Sequence, residues 1–189
     1  MAILSGRHHL SPEHGRITLH TSRDGLAAQA GHDLTIEAAT WSGELTIGAD
    51  QSPAGLEVTI DLNALQVIAG SGGIKPLSDK DKRDIAANAR KTLRADRYPT
   101  ATFTASAFSP AAAGGGSIDG NLTLAGQTRP LRIAVTQPSA GTYQATTTVR
   151  QTDFGIKPYS GMLGALRVSD AVPVTVDLEL ANVLAGKEG

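Results

Sequence analysis

The chain contains no cysteine, which removes a disulfide framework, a thiolate metal site and a thiol nucleophile together. It has no excess of charge of either sign. Its formal net charge is -1, with 19% charged residues, so it offers no electrostatic footprint for nucleic acid. Aromatic residues make up 4% of the chain, and aliphatic side chains can serve a packed core or a pocket equally well. Long apolar runs are also missing, and His, Arg, Glu and Asp interrupt the N-terminal part at close intervals. Neither a signal-peptide core nor a membrane span is expected, and the expected location is the cytoplasm.

What is present is 189 residues with 40% hydrophobic content, enough for one domain with a substantial core. The expectation is a single domain over 1–189, with a core at about 15–181 and flexible termini. Period-two alternation recurs along it. Ile17 and Leu19 alternate with polar neighbours, as do Trp41, Gly43, Leu45 and Ile47, then Leu56 to Leu62, and Phe103, Ala105 and Ala107. The pattern returns at Ile118 to Leu124, Leu131 to Val135, Tyr143 to Val149 and Val172 to Leu180. One apolar and one polar face, strand after strand, describe antiparallel strands buried on one side. Glycine-bearing connectors separate them at hairpin lengths, and about eight strands is a barrel-sized number. The predicted class is all-β, an antiparallel eight-stranded barrel.

Two segments depart from the alternation. From Ser78 to Arg94, Ile85, Ala89 and Leu93 fall four apart, Ser78 can cap the start, and Asp79 and Asp81 suit the positive helix end. One inserted helix is predicted at about residues 78–94, its many charges forming a solvated face. From Thr152 to Ser169 a long loop holds Phe154, Ile156, Tyr159, Met162, Leu163 and Leu166. A long apolar loop needs a burial partner or a function, and the open end of a barrel supplies the first.

The search for chemistry yields little. All five histidines precede residue 33, and their spacing on confident elements does not match a metal site; His8 and His9 read as a flexible terminus. Gly-x-Ser-x-Gly does not occur. Gly70-Ser71-Gly72-Gly73 lacks the spacing and helix start of a phosphate loop and reads as a flexible connection. His32 and Asp33 adjoin apolar residues where a strand begins. They form either a proton-transfer pair or a set of turn contacts. Lys157 and Arg167 lie beside Phe154 and Tyr159 in the apolar loop. That distribution suits a ligand with an apolar tail and an anionic or polar head, or simply side chains that plug the barrel.

Tyr98-Pro99-Thr100-Ala101-Thr102-Phe103, the hairpin Gly120 to Pro130, Asp153-Phe154-Gly155-Ile156 and the terminal strand Val172 to Leu180 together resemble the YceI-like family, in the same order and over about Gly15 to Leu180. The resemblance implies a lipocalin-like barrel around a polyisoprenoid in a bacterial protein, usually secreted and often a dimer. Three departures stand out. The family's Arg two residues before Asp153 is Gln151 here, with Arg150 shifted to the opposite strand face. Its Asp-x-His-Leu segment is replaced by the insertion Lys75 to Arg94, and its signal peptide is not expected here.

The expected function is therefore a non-catalytic carrier for an isoprenoid, quinone or related lipid. Expected ligand contacts are His32, Trp41, Phe103, Phe154, Lys157, Tyr159, Met162, Leu163 and Arg167. No metal and no cofactor beyond such a lipid are expected, and a homodimer is possible on the resemblance. The alternatives are a cyclase or isomerase acting in the same cavity through His32 and Asp33, and a ligand-free stress or structural protein with a filled barrel.

Overall fold

A computed structural model describes residues 4–111 and 114–185. Its strands are β1 (Gly6–Leu10), β2 (Gly15–Thr21), β3 (Arg23–Asp24), β4 (His32–Ala38), β5 (Trp41–Ile47), β6 (Pro53–Asp61) and β7 (Leu65–Gly72). They continue with β8 (Thr100–Pro110), β9 (Gly115–Leu124), β10 (Gln127–Ser139), β11 (Thr142–Arg150), β12 (Ser160–Gly161), β13 (Leu166–Val168) and β14 (Ala171–Glu179). The helices are α1 (Asp79–Thr92) and α2 (Ala181–Leu184). Residues 1–3 and 186–189, on which part of the expected flexible termini falls, lie outside the described residues.

The main sheet is antiparallel and runs β1-β5-β6-β8-β9-β10-β11-β14-β2-β4-β7. Its strand count exceeds eight because two long strands are bent. β4 passes into β5 through Ala39 and Thr40 alone, and β6 passes into β7 through a 3-10 turn at Leu62–Ala64. β4 pairs with β7, and β5 with β6, so residues 32–72 form one bent hairpin. One arm of that hairpin pairs with β2 and the other with β8. Taking each bent strand as one segment leaves eight segments, whose pairings return to their start through β14 and β2. This is the all-β barrel architecture, with β1 added on β5 and the small sheet β12-β13-β3 at one end.

Alternation explains which way the barrel faces. Ile17, Ile36, Ala38, Trp41, Leu65, Val67, Phe103 and Leu122 are buried inside, while the charged partners on the same strands stay outside. An apolar interior with a polar exterior is the reverse of a barrel embedded in lipid. Among the described residues no helix is long and apolar enough to cross a membrane.

Two expectations require correction. Gly70, Ser71 and Gly72 are not a flexible connection but the end of β7, paired with Leu34, Asp33 and His32. The glycines are needed by close approach: a Cβ on Gly70 would strike the Leu77 side chain, and one on Gly72 the Arg23 guanidinium. His8 and His9 are not a loose terminus either; they belong to β1, where His8 Nε2 lies 2.8 Å from the Leu4 carbonyl oxygen.

The inserted helix forms for the reasons its sequence advertises. The Ser78 side chain accepts from the Asp81 N–H at 3.2 Å and the Asp81 carboxylate accepts from the Ser78 N–H at 3.0 Å, a reciprocal capping box. Arg90 and Lys91 occupy the last turn, against the negative helix end. α1 stops before residue 94 because Arg94 adopts a left-handed conformation (φ 55°) and donates from Nη2 to the Ala125 carbonyl at 3.1 Å. Packed against β7, α1 turns Ile85, Ala89 and Leu93 toward the barrel interior.

Candidate lipid-binding cavity

The barrel is hollow. A cavity of about 880 Å³ runs along it, within the range of sites that enclose small-molecule ligands. Its wall is built from the inward positions of nearly every strand, among them Ile17, Leu45, Val58, Ile60, Phe103, Leu122, Ile133, Val174 and Val176. Close packing around it is tuned by small residues: a Cβ on Gly120 would collide with the tip of the Phe103 ring, so the glycine leaves room for that ring against the neighbouring strand.

The two ends differ. At one end the wall is neutral and polar, with Gln51, Ser52, Ser109, Ser117 and Gln137. At the other end stand Arg23, His32 and Arg167, and among the described wall residues these and the tyrosines Tyr143 and Tyr159 are the titratable groups. Backbone pairing gathers the cationic three at one mouth. β13 pairs with β3, which sets Arg167 opposite Asp24 and Val168 opposite Arg23, and the Arg23 N–H donates to Asp33 Oδ1 at 2.8 Å.

The predicted site residues fall in different places. Trp41 and Phe103 are buried in the wall, and His32, Tyr159 and Arg167 line the charged mouth. Phe154 is not in the wall. It is buried in a 3-10 turn, Gln151–Phe154, that Gly155 closes in the left-handed region (φ 65°), so together with Ile156 it is core beneath the loop. Lys157 is also off the wall and exposed. Leu163, expected at the ligand, projects fully into solvent from a left-handed backbone (φ 54°). The Met162 side chain lies outside what the structure describes.

His32 and Asp33 are not brought together as a proton-transfer pair. Adjacent residues on β4 point to opposite faces. His32 faces the cavity, and its Nε2 lies 2.8 Å from the Lys75 carbonyl oxygen, which can only accept, so Nε2 carries the proton. Asp33 instead binds the Arg23 N–H and lies 3.7 Å from the Arg23 Nε.

The structure adds residues that the sequence reading missed. Arg23 lines the mouth, donates from Nη1 to the Gly31 carbonyl at 2.6 Å and covers Gly72. Gln151 is buried in the wall and donates from Nε2 to the Ser169 carbonyl at 3.0 Å. Arg150 is on the outside, 3.8 Å from Asp170. Burial works to raise the Asp170 pKa, but hydrogen bonds from the Thr152 hydroxyl and N–H outweigh it and, with the Arg150 charge, hold the carboxyl below its ordinary value. Among the described residues no cluster of His, Asp or Glu could hold a metal ion.

Comparison with known proteins agrees with this architecture. The crystal structure of Burkholderia cenocepacia BcnA superposes with a TM-score of 0.58 at 20% identity, covering 87% of this chain and 94% of that one. The Campylobacter jejuni YceI protein superposes with a TM-score of 0.53 at 15% identity, covering 73% of this chain and 78% of that one. At these identities the likeness is one of fold. No curated protein matches by sequence. The family model for the YceI-like domain, however, matches residues 8–180, from β1 through the end of β14, and by that match the chain belongs to the YceI-like family.

Proposed function

We propose that the protein is a non-catalytic carrier that holds one long apolar lipid, of isoprenoid or quinone type, along the barrel axis. The observation that carries this reading is the cavity itself: about 880 Å³, aliphatic along its length, with its cationic side chains gathered at one mouth. Each methylene moved from water into such a wall contributes about 0.8 kcal/mol, so a chain of several isoprene units binds firmly without any charged contact. The head then lies at Arg23, His32 and Arg167, where donors meet a carbonyl, hydroxyl or anionic group. The family's resemblance to polyisoprenoid-binding proteins supports the same assignment of ligand class. The replacement of the family's Arg by Gln151 supports a head less dependent on buried charge, since an amide now occupies that part of the wall.

The test is native mass spectrometry of the protein purified from its own host, followed by organic extraction and a second measurement after adding geranylgeraniol. A stoichiometric lipid, or uptake of one geranylgeraniol per chain, is the expected result. A bare protein that also refuses geranylgeraniol would overturn the carrier reading.

A further inference from the structure

We propose that the charged mouth of the barrel is a docking surface for an anionic lipid bilayer. The role assigned to docking, exchange of the cavity's ligand with the membrane, rests on the carrier reading; the docking itself does not.

Three side chains carry the argument. Leu26, Ile74 and Leu163 are 101%, 86% and 110% exposed, whereas the other exposed large apolar residues reach at most 49%. A single exposed leucine is ordinary, but three fully exposed apolar side chains on loops that meet at one binding mouth are not. These three belong to loops far apart in sequence that the fold brings together. The Ala27 N–H donates to the Ala165 carbonyl at 2.8 Å, which joins the loop of Leu26 to that of Leu163. Gly31 is backed by the Leu166 side chain, and His32 binds the Lys75 carbonyl at 2.8 Å, which joins the loop of Ile74. Gly31, His32 and Leu166 also line the cavity, so the apolar tips ring its opening. Leu163 is held with φ at 54°, a region that a leucine rarely adopts, and the result is a side chain aimed at solvent instead of at the core.

Charge on the same rim favours anionic headgroups. Lys75, Lys157 and Arg167 form no salt bridge among the described residues. Three carboxylates stand near these cations: Asp24, opposite Arg167, which accepts from the Gly25 N–H at 2.6 Å; Asp33, paired with Arg23; and Asp81, near Lys75, which accepts from the Ser78 hydroxyl at 2.7 Å. Against them stand the four cations Arg23, Lys75, Lys157 and Arg167, an excess of positive charge. Apolar tips that enter the headgroup boundary, flanked by unpaired cations, are the general recipe for peripheral attachment.

The test is flotation with vesicles of phosphatidylcholine containing a minor fraction of phosphatidylglycerol. Wild type is expected to float. The combined variant Leu26→Ser, Ile74→Ser, Leu163→Ser is expected to lose roughly tenfold or more in vesicle partition while its thermal midpoint and its uptake of geranylgeraniol in native mass spectrometry stay unchanged. Leu4→Ser, near α2 at the neutral end, is expected to float like wild type. A wild type that stays in solution, or a triple variant that floats equally well, overturns the proposal. So does a wild-type dimer that the triple variant converts to monomer without any vesicle binding, because the patch would then be a self-association face. Flotation without uptake of geranylgeraniol keeps the docking surface and removes the carrier reading; uptake without flotation does the reverse.

Discussion

The Nε2 of His32 lies 2.8 Å from the Lys75 carbonyl oxygen, and the imidazole ring covers the face of Gly73 where a Cβ would stand. One histidine thereby ties the turn leaving β7 to the first residue of β4. Gly73 has φ at 72°, so Gly73→Ala adds both backbone strain and a collision with the ring. The expected cost is more than about 1 kcal/mol in chemical denaturation. His32→Ala relieves the collision, so in the double variant the Gly73→Ala penalty should shrink to its backbone part. Strictly additive costs would show that the ring and Gly73 do not touch.

The capping box of α1 predicts a pH dependence. The Ser78 hydroxyl and N–H donate to the Asp81 carboxylate at 2.7 and 3.0 Å and hold its pKa below the usual carboxylate range. A folded-state pKa below the unfolded one means that the unfolded chain binds more protons in that window. Asp81 therefore contributes stability above the unfolded value and loses it as pH falls through the folded one. The gap in unfolding free energy between wild type and Asp81→Asn should be widest near neutral pH and close in strong acid. Ser78→Ala removes the cap and should cost about 1 kcal/mol at neutral pH. A gap that stays constant down the acid range would place the benefit of Asp81 elsewhere.

How much of this was legible in the sequence depends on what a residue's neighbours along the chain reveal. Phe103, Leu122 and Val176 announce their inward faces by alternation, and Ile85, Ala89 and Leu93 announce a helix face by their spacing of four. Gly70 and Gly72 carry no side chain to alternate, so the end of β7 was invisible; what makes it a strand is its pairing with β4, and Leu77 and Arg23, resting where Cβ atoms would be, require the glycines. Arg23 was missed because it sits in a two-residue strand whose partner, β13, is distant in sequence. Phe154 and Leu163 are both apolar residues of one irregular loop, and without a period nothing local tells which is core and which is solvated. The bend at Ala39 and Thr40 likewise goes with pairings distant in sequence, β2 on one arm of the hairpin and β8 on the other.

Trp41, the chain's one tryptophan, is 5% exposed in the cavity wall, and its Nε1–H has no partner among the described residues. An unsatisfied buried donor is itself unfavourable, so Trp41→Phe removes apolar area and an orphaned group together. The expected net change is within about 1.5 kcal/mol, smaller than the 3–5 kcal/mol typical when a buried Phe such as Phe103 is cut to Ala. Because the indole lines the wall, its emission should be blue-shifted and should respond when geranylgeraniol is added. Emission typical of an indole in water would put Trp41 outside the wall.

The hollow interior makes a prediction that a filled barrel reverses. Ala145 faces the cavity from β11, between Val135 on β10 and Val176 on β14. In a close-packed core, Ala145→Trp forces side chains off their rotamers and costs about 1–3 kcal/mol or more. In a cavity of about 880 Å³ the indole finds room, loses no existing contact and buries its own apolar surface. Denaturation should then show stability unchanged or raised by about 0.5–2 kcal/mol. Native mass spectrometry should show uptake of geranylgeraniol falling by roughly tenfold or more, because the ring now occupies the volume in which the chain would bury its methylenes. If the variant is instead destabilised, the interior was already packed. If it is stable and still takes up the lipid, the chain lies elsewhere in the cavity than along β11.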